Sequence, residues 1–213
     1  MEKWKIFEKH INMIENPSIK EFTKFALSHS PNYFWTMPAT TSGRRHGDKE
    51  SLIDHVQECL QLAECVIDQF KNHWTQRQND QLLSALILHD VWRCNNEGEE
   101  LRYTEEYVKE NELPAELIGN LRTHPEHPEI GYRNIQSLAI EYNEYATENK
   151  LNKMGGKNLK AIADGVRYHY GPWTRTILPK RFSLSWPADY IVYQVHNIDY
   201  MQCQLSRIRK NDV

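Results

Sequence analysis

The run Leu82-Leu83-Ser84-Ala85-Leu86-Ile87-Leu88, followed at once by His89-Asp90, constrains this chain more than any other stretch of it. Apolar on nearly every side of a helical wheel, it predicts a helix from Asp80 to His89 that runs through a core and does not merely lie against one. Its polar end is the difficulty. An imidazole and a carboxylate arrive together where water is scarce, and unpaired buried charge is costly. Something cationic has to meet them. A divalent metal does so with its common ligands, neutral imidazole and carboxylate oxygen.

The rest of the chain supplies helices to surround that one. Leu52, Val56, Leu60, Ala63, Ile67 and Phe70 recur every three or four residues and predict an amphipathic helix from Ser51 to Phe70. Tyr132 to Tyr145 and Leu159 to His169 read as two more, separated by Gly155-Gly156, the second stopped by Gly171-Pro172. A last helix, from about Asp189 to Ile208, carries Ile191, Val195, Ile198, Met201 and Leu205 on one stripe. Residues 2–29 read as two short helices broken at Asn16-Pro17-Ser18, and residues 30–49 as a long irregular loop. The Glu-rich stretch 97–116 predicts a solvated acidic helix leading to a loop with His124, Pro125, His127 and Pro128. Residues 174–187 read as a basic, aromatic loop. No useful alternating strand pattern and no internal repeat is found. The expected class is all-α, in a single domain over residues 1–213.

Composition narrows the partners. With 26 Lys+Arg against 29 Asp+Glu, a net charge of -3, the chain has no global excess of positive charge for nucleic-acid backbones, although a local basic groove remains open. The apolar run is far shorter than the roughly 20 residues a bilayer requires, so no membrane association is expected. The first residues have neither an apolar signal region nor a cleavage site, which predicts a cytoplasmic protein. The four cysteines, Cys59, Cys65, Cys94 and Cys203, form no CxxC pair and read as reduced, mostly structural thiols. Cys94 lies four residues after Asp90, but no base is positioned by the sequence to activate it.

The order of the polar residues carries a resemblance. His55 on the preceding helix, His89-Asp90, then Asp199 on the last helix form an H…HD…D string that resembles the signature of HD-domain metal-dependent phosphohydrolases. Local strings bring it closest to the HD domain of bacterial 3′-to-5′ exoribonucleases. They are Trp35-Thr36-Met37-Pro38-Ala39 ahead of Arg45-His46, Leu52-Ile53-Asp54-His55-Val56, Leu86-Ile87-Leu88-His89-Asp90-Val91-Trp92-Arg93, His127 with Gly131 and Ile135, Tyr168-His169-Tyr170-Gly171, and His196-Asn197-Ile198-Asp199. Trp92 replaces a family glycine and Arg93 stands where a lysine would be.

The resemblance implies an HD-type helical bundle with long loops around a central metal site, its core over residues 34–205 and N-terminal helices over 1–30. It implies metal ligation by His55, His89, Asp90 and Asp199, with His127 and His169 completing a second metal position or a phosphate contact. Gly131 favours His127 over His124 in that role. One or two divalent ions are expected, and the donor types suit Mn, Fe, Co, Ni, Zn or Mg.

A metal-bound water made acidic enough to ionise near neutral pH would attack phosphorus, with Asp90 orienting it. Arg93, Arg44, Arg45 and Lys180-Arg181, with His46 beside them, are candidate phosphate contacts. The first 30 residues cannot form a nucleic-acid-binding OB-fold barrel, so the expected substrate is small, a nucleotide or short oligonucleotide. Two alternatives stay open: a 3′-to-5′ exonuclease on single strands, tracking the backbone along Arg175 to Arg181, and a non-catalytic nucleotide-sensing module. Tyr168, Tyr170, Trp173 and Trp186 fit either base stacking or packing. His10, His29, His73 and His196 read as structural, His196 sitting one turn before Asp199, where it can support the ligands. Oligomeric state is not set by the sequence.

Overall fold

A computed structural model describes residues 2–39, 51–96, 99–171 and 190–211. Those residues form an all-α protein. Its helices are α1 (Glu8–Met13), α2 (Pro17–Ser28), α3 (Leu52–Phe70), α4 (Gln76–Leu88), α5 (Glu105–Glu110), α6 (His127–Glu148), α7 (Gly156–Arg167) and α8 (Tyr190–Asn211).

The apolar run behaves as its pattern demands. α4 packs against α1, α2, α3, α7 and α8, so its side chains from Asn79 to Leu88 are all buried. Local chemistry marks the helix starts. Asn16 caps α2 by accepting from the Ser18 and Ile19 amides, with Pro17 in the first turn, where its missing N–H costs nothing. Ser51 with Asp54 on α3, and Thr75 with Gln78 on α4, are reciprocal capping boxes.

Polar groups brace the layers around α4. Asp80, 1% exposed, accepts the Glu15 and Asn16 amides at 3.0 and 2.9 Å, which ties the α1–α2 corner to the start of α4. Thr23 and Ser84 hydroxyls meet at 2.7 Å between α2 and α4. Asn158 on α7 accepts from Arg77 and Gln81 on α4. His10 on α1 meets Glu64 on α3 at 2.6 Å, and burial, outweighing that carboxylate, holds its pKa below the usual histidine range. It is therefore a neutral imidazole donating Nε2–H.

Two expectations change. The stretch read as one acidic helix is divided: a two-residue antiparallel pair (Asn95–Asn96 with Glu99–Glu100), the six-residue α5 capped by Thr104, and a 3-10 turn at Ala115–Leu117. Pro114 and the positive φ of Glu112 (52°) break the helix where charge pattern alone does not. Conversely, α6 begins at His127, five residues earlier than periodicity indicates, because Pro128 stands in its first turn, where proline is compatible with a helix. Among the described residues no helix is long and apolar enough to cross a membrane.

Candidate metal centre

The C-terminal end of α4 opens onto the centre of the bundle, and six predicted ligands converge there. His55 comes from α3, His89 and Asp90 from the end of α4, His127 from the start of α6, His169 from the turn after α7, and Asp199 from α8. Each of the four histidines is at most 5% exposed. Arg44, Arg45, His46, Lys180 and Arg181, together with Trp173 and Trp186, lie outside the described residues.

Three of the imidazoles are aimed by the same local device. His89 Nδ1 bonds to the Leu86 carbonyl at 2.7 Å, His127 Nδ1 to the His124 carbonyl at 2.9 Å, and His169 Nδ1 to the Val166 carbonyl at 2.7 Å. In each case the acceptor is the carbonyl three residues back. At the ends of α4 and α7 such carbonyls lack helical partners, so the imidazole satisfies one and directs its Nε2 beyond the helix. His124, the competitor for the ligand role, contributes its carbonyl here, while its ring accepts the Glu126 amide at 3.1 Å. His55 is aimed from across the bundle: its Nδ1 lies 2.6 Å from Gln202 Oε1. The Gln202 amide is oriented by its NH2 group, which donates to Glu58 at 3.1 Å and Ser206 at 2.8 Å.

These partners decide the tautomers. Carbonyl oxygens only accept, so every one of the four Nδ1 atoms is a donor, and in a neutral ring Nε2 is then a bare lone pair. His55 Nε2 faces His89 Nε2 at 3.3 Å, and His127 Nε2 faces His169 Nε2 at 3.2 Å. Carboxylate oxygens complete the enclosure: Asp199 Oδ1 is 3.3 Å from His55 Nε2 and 3.9 Å from His89 Nε2. Asp90 stands between the pairs. Its Oδ2 is 3.9 and 3.7 Å from the Nε2 atoms of His55 and His89, and its Oδ1 is 3.0 and 3.7 Å from those of His127 and His169.

Acceptors facing acceptors at these distances repel unless a cation or a proton sits between them. The electrostatics agree. Burial opposes ionisation of both carboxylates, yet Arg93, His89 and His127 hold Asp90 well below the carboxylate range, and His55 and His89 draw Asp199 down to about 2. Both are anions at neutral pH. Burial alone would depress His55, but Cys59 and Asp199 outweigh it and raise its pKa, so a proton is drawn into that corner. His169 goes the other way, pushed to about 3 by burial and by His127.

The donor set fits a metal on geometry as well. Metal–nitrogen bonds of about 2.0–2.1 Å set the ligand atoms of a tetrahedral site roughly 3.3–3.4 Å apart, which matches the 3.3 Å separations at His55. Among the described residues, two groups satisfy a common ligand-atom spacing within 4.8 Å: His55, Cys59, His89 and Asp199, and Asp90, His127 and His169.

Arg93 reaches the site through Asp90, donating Nη1 to Oδ2 at 2.9 Å while its Nε bonds Thr123 at 3.1 Å. Tyr170 lies beside His127, its hydroxyl 3.4 Å from Nδ1, and burial raises its pKa, so it stays a phenol. His196 supports the ligands, donating Nδ1–H to the His169 carbonyl at 2.8 Å. Cys94 is a buried thiol 3.8 Å from the Met37 sulfur, pushed up to about 12 by burial.

Glycines allow the helices to close. A Cβ on Gly131 would lie 2.8 Å from Val166, so its absence lets α6 approach α7 and brings His127 to His169. Trp92 is 4% exposed and packs toward Gly131. Sequence reasoning missed Gln202 and Cys59. The one available signal was Cys59 four residues after His55, on the same helix face; nothing local marks Gln202, 147 residues from its partner.

No protein-family model, no curated protein and no solved structure matches this chain. Its chemistry is therefore read from the side chains themselves.

Proposed function

We propose that this chain is an HD-type metal-dependent phosphohydrolase that cleaves a phosphoester of a nucleotide or short oligonucleotide. One observation carries the reading: four imidazoles tied through Nδ1 to carbonyl oxygens turn their Nε2 atoms inward, in two facing pairs, with one oxygen of ionised Asp90 turned toward each pair. A purely structural network would alternate donors and acceptors; among the described residues this one turns four imidazole nitrogens and two carboxylates toward one another, with Arg93 the permanent cation beside them. His55, His89 and Asp199 would hold one ion and His127, His169 and Asp90 a second.

Divalent metal bound there supplies Lewis acidity toward a phosphoryl oxygen and makes water acidic enough to ionise near neutral pH. The chain's own residues do the rest. The Nδ1–H bonds keep the ligand nitrogens in place and in the binding tautomer. Arg93 fixes the Asp90 carboxylate with Oδ1 toward His127 and contributes a permanent positive charge beside the site, of the kind that phosphoryl transfer requires. Tyr170 keeps a hydroxyl proton beside His127, available to a substrate oxygen.

The test is release of phosphate or nucleoside from a panel of nucleotides and short oligonucleotides by the purified protein with added Mn²⁺, alongside Asp90→Ala. Turnover that disappears in the variant supports the hydrolase and ranks its substrates. Metal bound tightly with no turnover on any substrate overturns it in favour of a nucleotide-sensing module.

A further inference from the structure

Cys59 follows His55 by one helical turn on α3, so its thiol and the imidazole share a face. Its Sγ is 3.8 Å from His55 Nε2 and the side chain is 0% exposed. His89, itself 1% exposed, and Asp199 belong to the same tight group of potential ligands. Bonds of about 2.3 Å to sulfur and 2.0–2.1 Å to nitrogen set S and N roughly 3.5–3.6 Å apart in a tetrahedral site, close to the separation observed.

Asp90 Oδ2 also faces this group, 3.9 and 3.7 Å from the Nε2 atoms of His55 and His89, but the common ligand spacing places Asp90 with His127 and His169 and Cys59 with His55, His89 and Asp199. Oδ2 accepts from Arg93 at 2.9 Å, and Oδ1 stands 3.0 Å from His127 on the other side. We infer that Cys59 is a thiolate ligand of the ion held by His55, His89 and Asp199, giving that ion two nitrogens, one oxygen and one sulfur. The inference rests on the metal-centre reading above and deepens it. On binding, the S–H bond breaks as the metal–sulfur bond forms, the proton leaves to solvent, and no oxidation state changes. The two metal positions then differ in kind. A thiolate makes the His55 position soft, favouring Zn²⁺, Fe²⁺ or Co²⁺ over Mg²⁺ and Mn²⁺, whereas the Asp90, His127, His169 position offers only nitrogen and oxygen.

The experiment is chelator-stripped full-length protein reloaded with Co²⁺ and read by absorption. Wild type should show a thiolate-to-cobalt charge-transfer band in the near ultraviolet beside the visible ligand-field bands. Cys59→Ser should lose the first and keep the second. Cys203→Ser is the control, because that thiol lies 3.9 Å from Asp199 Oδ1; its charge-transfer band should survive. In Zn²⁺/Mn²⁺ competition, Cys59→Ser should lower the preference for Zn²⁺ by at least about tenfold. If the Cys59→Ser variant does not fold, wild type and Cys203→Ser decide together: a charge-transfer band present in both leaves the thiolate with Cys59. Ligand-field bands without charge transfer in wild type overturn the Cys59 assignment and leave the metal centre standing. A band lost only in Cys203→Ser overturns it in favour of Cys203. Failure of wild type to bind cobalt overturns both.

Discussion

Helix α4 carries a buried aspartate at each end, and the two live in opposite surroundings. Asp80, at the start, is met by donors alone: two backbone amides and the Gln76 side chain, at 2.9 to 3.0 Å. Asp90, just past the other end, is met by Arg93 and by the inward Nε2 atoms of four imidazoles. Residue type and burial do not separate them, at 1% and 4% exposed. The polarity of the neighbours does. A carboxylate whose needs are met by neutral donors is a brace, and one ringed by inward imidazole nitrogens belongs to a group that could hold a cation.

Mutation should split the two ends. Asp90→Ala is expected to reduce turnover by about 10²–10³ or more while thermal stability of the metal-free protein changes little, measured by kinetics and calorimetry. Asp80→Ala should do the reverse: about 3 kcal/mol lost in denaturant unfolding, because buried amides lose their acceptor, with metal content per folded molecule unchanged. Equal stability losses in both variants would erase the distinction. At the site end, Gln202→Leu frees His55 Nδ1 and should weaken metal binding by about 10–100-fold in chelator competition, with the fold intact by circular dichroism. Gly131→Ala tests the approach of α6 to α7; forcing a Cβ against Val166 should cost about 1–3 kcal/mol.

The smallest effect belongs to the braced end and depends on pH. His10 is neutral when folded, with a pKa below its unfolded value of about 6.5, so the unfolded chain binds more protons as the pH falls. Its contribution is complete above that value and is lost on acidification. Glu64, its pKa lowered chiefly by the Lys9 hydrogen bond, also loses stabilisation in acid, at lower pH. The unfolding temperature should therefore drop from pH 7 to pH 5, and His10→Gln should flatten that slope. A variant as steep as wild type would move the titration elsewhere.

Much of this was legible without coordinates. The all-round apolar pattern from Leu82 to Leu88 is satisfied only by a helix with neighbours on every side, and α4 has them. His55, His89, Asp90, His127, His169 and Asp199 stood out by order and flanking residues, and all six meet. Helix starts were less legible: His127 reads as loop because two prolines surround it, although a proline in the first turn is compatible with a helix. The acidic stretch before it follows Pro114 and a backbone turn at Glu112, not its charges.

By itself, then, the sequence determined the helices, their buried faces and the identity of the polar groups carried to the core, because periodicity and capping act within a few residues. Tertiary structure alone decided which oxygen of Asp90 faces which histidine pair, that Gln202 orients His55 from 147 positions away, and that Cys59 joins the same cluster. Those relations depend on how closely helices pack, down to a missing Cβ at Gly131, and no local pattern encodes a distance between segments that only folding brings together.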